Sequence, residues 1–367
     1  MVPVARKNLL ADKVRLLISV SGVTFAVLLI LVVLSLYRGF ERTAGSFPDR
    51  VSADIWVMQS GAKDLFHSSF SLIPASVGDQ LRSLNGVDSV TALYGRRLSA
   101  STESGEAVLY VMAVDLPPEV SPMHGIEAGT RPGQIIVDSV FSRKTGIGRG
   151  GQVIIEGRPY TVADIADVGN LAVAQFALMS PQDARDLLNV SGMVNWYLVN
   201  VADPSLAPVV VERINRAIPG VEAVTKDEFA DANRSEVLDA FVPVVSVLLV
   251  IAFIVGTAVV GLTIYTATIE RTREYGVMKA IGASGGYLFR IVLAQSVIVG
   301  VAGFVMGVPA TLAVNRLARE IVPEFVNVVR WQDVSAVFVA ALAMAILAAF
   351  IPVRRVAGIE PAAVFRA

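Results

Sequence analysis

Four long apolar runs constrain this chain more than any other feature. Leu16–Leu36, Phe241–Tyr265, Leu288–Val314 and Val334–Val353 hold a single charge between them, Arg290, two residues inside the third. The first run has 21 residues and rises roughly 30 Å as a helix, enough to cross the hydrocarbon layer. With 54% hydrophobic and 17% charged residues, and a mean hydropathy of +0.62, the whole chain is too apolar for an ordinary soluble protein of its size. The runs therefore read as transmembrane helices 16–36, 241–265, 288–314 and 334–353.

Residues 1–15 carry Arg6, Lys7, Lys13 and Arg15 among Val4, Leu9, Leu10 and Val14, the pattern of a basic amphipathic helix on the cytoplasmic membrane face. A cleaved signal peptide is the competing reading of the first run. Its length and the lack of a small-x-small site at Ser35-Leu36-Tyr37-Arg38 weigh against that. Four crossings put both termini on one side. Arg271, Arg273, Lys279, Arg290, Arg354, Arg355 and Arg366 join the N-terminal cations there, whereas Asn315–Asp333 balances Arg316, Arg319 and Arg330 with Glu320, Glu324 and Asp333. That bias places both termini, and the tail 354–367, in the cytoplasm.

Between the first two spans, residues 39–239 change character. Apolar alternation, Pro/Gly punctuation and dispersed charge predict a water-soluble domain large enough for its own core. The expected fold class is an integral membrane α-helical protein of four transmembrane helices, with a large extracytoplasmic α+β domain inserted after the first helix. Strands are predicted at Ala53–Met58, Ala107–Val114, Gln134–Val137, Gln152–Ile155 and Trp196–Val201, and helices at Ala75–Leu84 and Ala207–Ala217. Phe141–Ile165 has the strand–turn–strand look of a small β subdomain. Two segments echo each other: Leu81–Thr91 and Ile214–Thr225 both pass from a helix end through Gly-Val-acid-x-Val-Thr into a strand. They read either as a pseudo-symmetric repeat or as two chance junctions.

The short segment 270–284 lies between the second and third runs. Glu270, Arg271, Arg273, Glu274 and Lys279 make it polar, while Tyr275, Met278 and Ile281 recur at helical spacing as an apolar stripe that would dock into a partner. Gly282 fits a helix stop. Pro243, Pro309, Pro352 and the glycines of Gly303-x-x-x-Gly307 and Gly256-x-x-x-x-Gly261 suggest bent helices and close helix contacts.

Catalytic chemistry finds little footing. Cysteine is absent, which removes disulfides and thiol nucleophiles. His67 and His124 are the only histidines, and neither has a metal- or triad-like neighbourhood. Gly146–Gly151 lacks the Gly-Lys-Ser/Thr ending of a phosphate loop and precedes a predicted strand, so a hairpin turn is the better reading. Asp164 with Asp167 and Asp227 with Glu228 read as solvated charge. A net charge of −1 offers no field for nucleic acid. The spans supply no buried acid or base for an ion pathway.

Residues 270–283, Glu-Arg-Thr-Arg-Glu-Tyr-Gly-Val-Met-Lys-Ala-Ile-Gly-Ala, resemble the coupling-helix signature of the MacB/FtsX-type ABC permeases, the mechanotransmission or type VII group that includes lipoprotein-releasing permeases. Asn8-Leu9-Leu10 with Lys13 and Arg15 is similar to the basic helix before that family's first span. Pro352-x-Arg-Arg355 through Arg366 is similar to its closing segment, with Glu360-Pro361 where Asp-Pro is commoner. The resemblance implies a membrane subunit in a prokaryotic inner membrane, dimerised with a second copy or a paralogue. Two separate ATPase subunits would bind ATP and Mg, with no cofactor on this chain. It implies an ATPase-coupling role for Glu270, Arg271, Arg273, Glu274, Tyr275, Gly276, Met278, Lys279, Ile281 and Gly282.

Export or extraction of an amphipathic cargo, such as a lipid, lipopeptide, antimicrobial peptide or haem-like molecule, then follows as the expectation, with an adaptor or extracellular partner possible. The rival is a non-transporting transducer that activates an extracellular hydrolase or sensor. For a haem-like cargo, His67 and Met58 are the candidate axial ligands, against the plainer reading of a surface histidine and a core methionine.

Overall fold

The computed structural model describes residues 12–44, 46–62, 65, 71–117, 120–121, 123–124, 126, 129–169, 175–322 and 326–357. In chain order the helices and strands are α1 (Lys13–Ala44), α2 (Ser46–Arg50), β1 (Ile55–Gln59), β2 (Ile73–Pro74), α3 (Ser76–Arg82), β3 (Val87–Thr102) and β4 (Gly105–Val114). There follow β5 (Gln134–Asp138), α4 (Ser139–Thr145), β6 (Gln152–Ile155), β7 (Arg158–Ala166), β8 (Gln175–Met179), α5 (Pro181–Leu188), β9 (Met193–Val194) and β10 (Trp196–Val201). The last are α6 (Ala207–Ala217), β11 (Val221–Thr225), α7 (Lys226–Glu270), α8 (Thr272–Ala280), α9 (Gly285–Ile321) and α10 (Trp331–Ala357). Two compact units emerge: one of Met1–Arg38, Phe241–Glu320 and Asn327–Ala367, the other of Gly39–Ala240 with Ile321–Val326.

In the α+β unit, nine strands form one sheet in the order β11-β1-β10-β3-β4-β8-β5-β7-β6. Among the first four, each strand runs antiparallel to its neighbour. Their connections, β1-α3-β3 and β10-α6-β11, interleave as two split βαβ units, the ferredoxin-like arrangement. The two echoing segments of the sequence are therefore equivalent junctions. Each runs from its helix into the outer strand of its unit through a left-handed glycine, Gly86 (φ 98°) and Gly220 (φ 84°). Val77 and Leu81 of α3 share one buried core with Val210 and Ile214 of α6, so both helices cover the same side of the sheet.

The insertion between β3 and β10 closes on itself. β6 pairs back to β3 at Ala100↔Ile155 and Ser101↔Ile154, so β3, β4, β8, β5, β7 and β6 make a six-stranded barrel. Leu98, Leu109, Val111, Val137, Val153 and Val162 belong to the core that continues from beneath the helices. A second core holds Trp56, Met58, Tyr110, Phe176, Trp196 and Phe229. There Phe47 stacks on Phe176 at 4.7 Å and Trp56 on Phe229 at 4.3 Å between ring centroids.

Three local readings change. Residues 139–145 are helical, capped by Asp138 and ended by Gly146 at φ 72°. Gly146–Gly151 is thus a helix exit and a lead into β6, while the hairpin turn sits at Glu156-Gly157 (φ 48° and 77°). Glu228 is not idle charge: its Oε2 accepts from the Thr225 backbone N–H at 2.8 Å, and Thr225 Oγ1 accepts from the Glu228 N–H at 3.3 Å. That reciprocal pair is a capping box at the start of α7.

Four helices among the described residues are long and apolar enough to cross a membrane. Val23, Ala26, Val27, Val260, Ile264, Val299, Ala341 and Met344 form their common core. The small-residue spacing in α9 is used against α1. A Cβ on Gly303 would stand 2.4 Å from Val23 Cβ, and one on Gly307 would stand 2.6 Å from Val27 Cγ1. Gly256 of α7 meets Ala26 and Met344 in the same way. Near the outer ends a polar chain replaces apolar contact. Ser35 Oγ accepts from Asn315 Nδ2 (3.1 Å), the Asn315 carbonyl accepts from Asn327 Nδ2 (3.2 Å), and Asn327 Oδ1 accepts from Arg319 Nε (2.8 Å). Ser35, Asn315 and Asn327 are all buried.

Candidate functional site

The segment between the second and third spans folds as α8 with a break on either side. Helix α7 ends at Glu270, and Arg271 leaves helical geometry at φ −98°, ψ 16°. The nine residues of α8 then stop in a hydrogen-bond pattern that a left-handed glycine requires. Gly282 (φ 101°) donates to Lys279 O at 3.1 Å, and Ala283 donates to Met278 O at 2.9 Å. These 5→2 and 6→1 bonds are a Schellman stop, which frees the chain to turn into α9.

Tyr275 anchors the helix. Its side chain is 1% exposed and packs with Leu288 of α9, with Met278 and Tyr287 closing the small cluster. Its phenol hydrogen-bonds the Gln295 side chain; burial pushes that phenol above its ordinary 10.0, with the Gln295 bond pulling the other way. Gly276 is buried beside it. The expected stripe is therefore divided: Tyr275 and Met278 face inward, while Ile281, beyond the last helical turn, is 80% exposed. Val277 takes the outward apolar position that the spacing had given to Met278.

Of the remaining residues, Arg273, Glu274 and Gly282 are exposed and Lys279 is half-buried. Arg271 lies 3.5 Å from Glu274 as an i,i+3 pair. Glu270 turns toward the first span, where Arg15 Nη2 is 2.7 Å from both of its carboxylate oxygens. Arg15 also faces Asp12 at 3.4 Å, and Asp12 Oδ1 accepts the Arg15 backbone N–H at 3.1 Å, capping α1. Arg15, Ser19, Thr263, Tyr275 and Gln295 line a cavity of about 30 Å³, room for a water molecule.

Sequence reasoning missed Gln295 as part of this site. Its signal was available: it is the one carboxamide in the run Leu288–Val314. Elsewhere, Met58 is fully buried in the aromatic core, a packing position with no open side for a ligand. His67 lies outside the described residues. His124 is exposed, and no group of three or more His, Cys, Asp or Glu among the described residues is placed to hold a metal.

Spans, inserted domain and linking helix together define a multi-pass membrane protein. Two family descriptions match it, MacB-like periplasmic core domain over residues 16–230 and FtsX-like permease C-terminal over residues 246–361. The chain belongs to this MacB/FtsX family of ABC transporter permeases, and its α+β domain is the extracytoplasmic part.

Among its relatives, a probable export ATP-binding/permease protein of Pseudomonas fluorescens is 23% identical over 96% of this chain and 58% of that protein. This chain thus spans little more than half the length of that relative. An uncharacterized ABC transporter permease of Mycobacterium bovis is 25% identical over 96% of both chains. Similar solved structures include the extracellular domain of the noncanonic ABC-type transporter YknZ from Gram-positive bacteria, at 11% identity, 47% of this chain, 98% of that one and a TM-score of 0.35. The periplasmic region of MacB from Actinobacillus actinomycetemcomitans matches at 11% identity, 50% of this chain, 92% of that one and a TM-score of 0.35.

Proposed function

We propose that this chain is the membrane subunit of an ATP-driven export assembly in a prokaryotic inner membrane, with both termini in the cytoplasm. Separate ATPase subunits, two for a pair of permeases, dock on α8 and carry the ATP and Mg. Their closure tilts α7 and α9, and the movement reaches the extracytoplasmic domain, which expels an amphipathic cargo. One observation carries this reading: α8 exposes Val277, Arg273 and Glu274, and Ile281 just past its end, while Tyr275 holds its underside against α9. An exposed apolar pair rimmed by charge on a short, braced helix suits a protein partner.

The cargo reading draws support from an apolar groove of about 580 Å³ between α7 and α10, lined in part by Phe253, Ile254, Gly261, Leu262 and Leu347. It lies between the second and fourth spans. The signalling alternative would instead need a protein-sized apolar patch on the extracytoplasmic domain.

Ile281→Asp tests the docking because the side chain makes little internal contact. The purified chain should bring down an ATPase subunit and stimulate its hydrolysis, and Ile281→Asp should reduce that stimulation at least tenfold with the permease still inserted. Undiminished stimulation in Ile281→Asp and Val277→Asp together would overturn the assignment.

A further inference from the structure

We infer that Arg15 is a positioning residue of the coupling apparatus: through Glu270 it ties the inner end of the first span to the joint where the second span meets α8. The inference rests on the docking role proposed for α8 and adds a second route for its movement. The joint is defined by geometry. Glu270 is the last residue of α7, and Arg271 behind it is the non-helical residue before α8. Arg15 Nη2 reaches both Glu270 oxygens at 2.7 Å, and Asp12 Oδ2 lies 3.4 Å from the same nitrogen.

Four helices converge there. Arg15 and Ser19 of α1, Thr263 of α7, Tyr275 of α8 and Gln295 of α9 line the water-sized cavity. Close-packed interiors resist small displacements, so a gap at the meeting point leaves these side chains room to rearrange. Glu270 keeps 59% of its side-chain exposure, and a pair so open to solvent contributes little to stability. Alignment is what it supplies. When α8 moves, Glu270 carries Arg15 with it, and α1 moves with the coupling helix.

The cysteine-free sequence makes the test direct. Spin labels on Leu17→Cys of α1 and Ile269→Cys of α7, both exposed positions, report the distance across the joint in lipid nanodiscs. Arg15→Gln and Glu270→Gln should each broaden the distance distribution at least twofold. The exchange Arg15→Glu with Glu270→Arg should restore it. Unbroadened distributions in both single variants overturn the inference, as does an exchange variant that stays broad while melting as cooperatively as the parent.

With the co-purifying ATPase and ATP added, the parent should show a distance change that Arg15→Gln reduces at least fivefold, and an undiminished change also overturns it. If no ATPase binds the parent, the docking proposal fails, while the nucleotide-free measurement still decides the role of Arg15.

Discussion

Arg38 grips Asp333 through two parallel hydrogen bonds, Nε to Oδ2 at 3.2 Å and Nη2 to Oδ1 at 3.1 Å. The pair fastens the outer end of the first span to the first turn of the fourth, where a carboxylate also suits the helix dipole. The side chains are 27% and 11% exposed, so the pair is neither fully screened nor fully dry. Asp333→Ala should cost roughly 2 kcal/mol, above the ~1 kcal/mol of exposed pairs and below the ~3–5 kcal/mol of buried ones. Thermal unfolding in detergent measures it, and an unchanged midpoint would remove the pair from any account of how these helices are held.

Gly303 permits α1 and α9 to touch. A Cβ there would stand 2.4 Å from Val23 Cβ and 3.1 Å from the Thr24 backbone nitrogen. Gly303→Ala should therefore destabilise the bundle by about 1–3 kcal/mol through overpacking. Adding Val23→Ala should return part of the loss, and failure of that rescue in a double-mutant cycle would show that the clash lies elsewhere.

The two pseudo-equivalent glycines should respond unequally. Gly86 and Gly220 share a left-handed backbone, so alanine at either costs roughly 1–2 kcal/mol. At Gly86 the new methyl also meets Val210 Cγ2 at 3.0 Å and Arg213 Nη1 at 3.2 Å, whereas nothing lies within 4 Å at Gly220. Gly86→Ala should be the more damaging by urea unfolding; equal losses would mean that the α6 side chains yield freely.

Asp138 links the extracytoplasmic domain to pH. It is 3% exposed and accepts from Val140 N–H at 2.8 Å and Gly169 N–H at 2.9 Å. Burial raises its carboxyl above the ordinary 3.8, outweighing the two donors that lower it. The folded state therefore holds this proton to higher pH than the unfolded chain does. Stability from this group is greatest below 3.8 and falls as pH rises from there through the folded value. Asp138→Asn should flatten that segment of the stability-versus-pH curve, and an unaltered slope would assign the dependence to another group.

The spans were legible because their signal is composition over a length that nothing else in a chain requires. The linking helix was legible as a helix, but its facing was not. Spacing put Tyr275, Met278 and Ile281 together, and only the Schellman stop at Gly282 shows that Ile281 lies past the last turn, free to point away. Strand β3 was read only at its start, in the junction that ends at Thr91, because Gly95-Arg96-Arg97 interrupts its apolar alternation while long-range pairing to β4, β6 and β10 sustains it to Thr102. Barrel closure depends on two residue pairs between strands far apart in sequence, Ala100↔Ile155 and Ser101↔Ile154, which no local pattern encodes. Arg15 and Glu270 were each visible as charges, but their contact joins residues 255 positions apart.

Strand β3 pairs with β10 along Val87–Leu93 and with β4 along Leu93–Thr102, so Leu93 is common to both partnerships. The layered sheet and the barrel therefore have no swivel between them. Torque on the barrel wall passes into β10 and β1 as shear along a continuous ladder, and a foreign barrel grafted at this point would have to adopt the twist of that one strand.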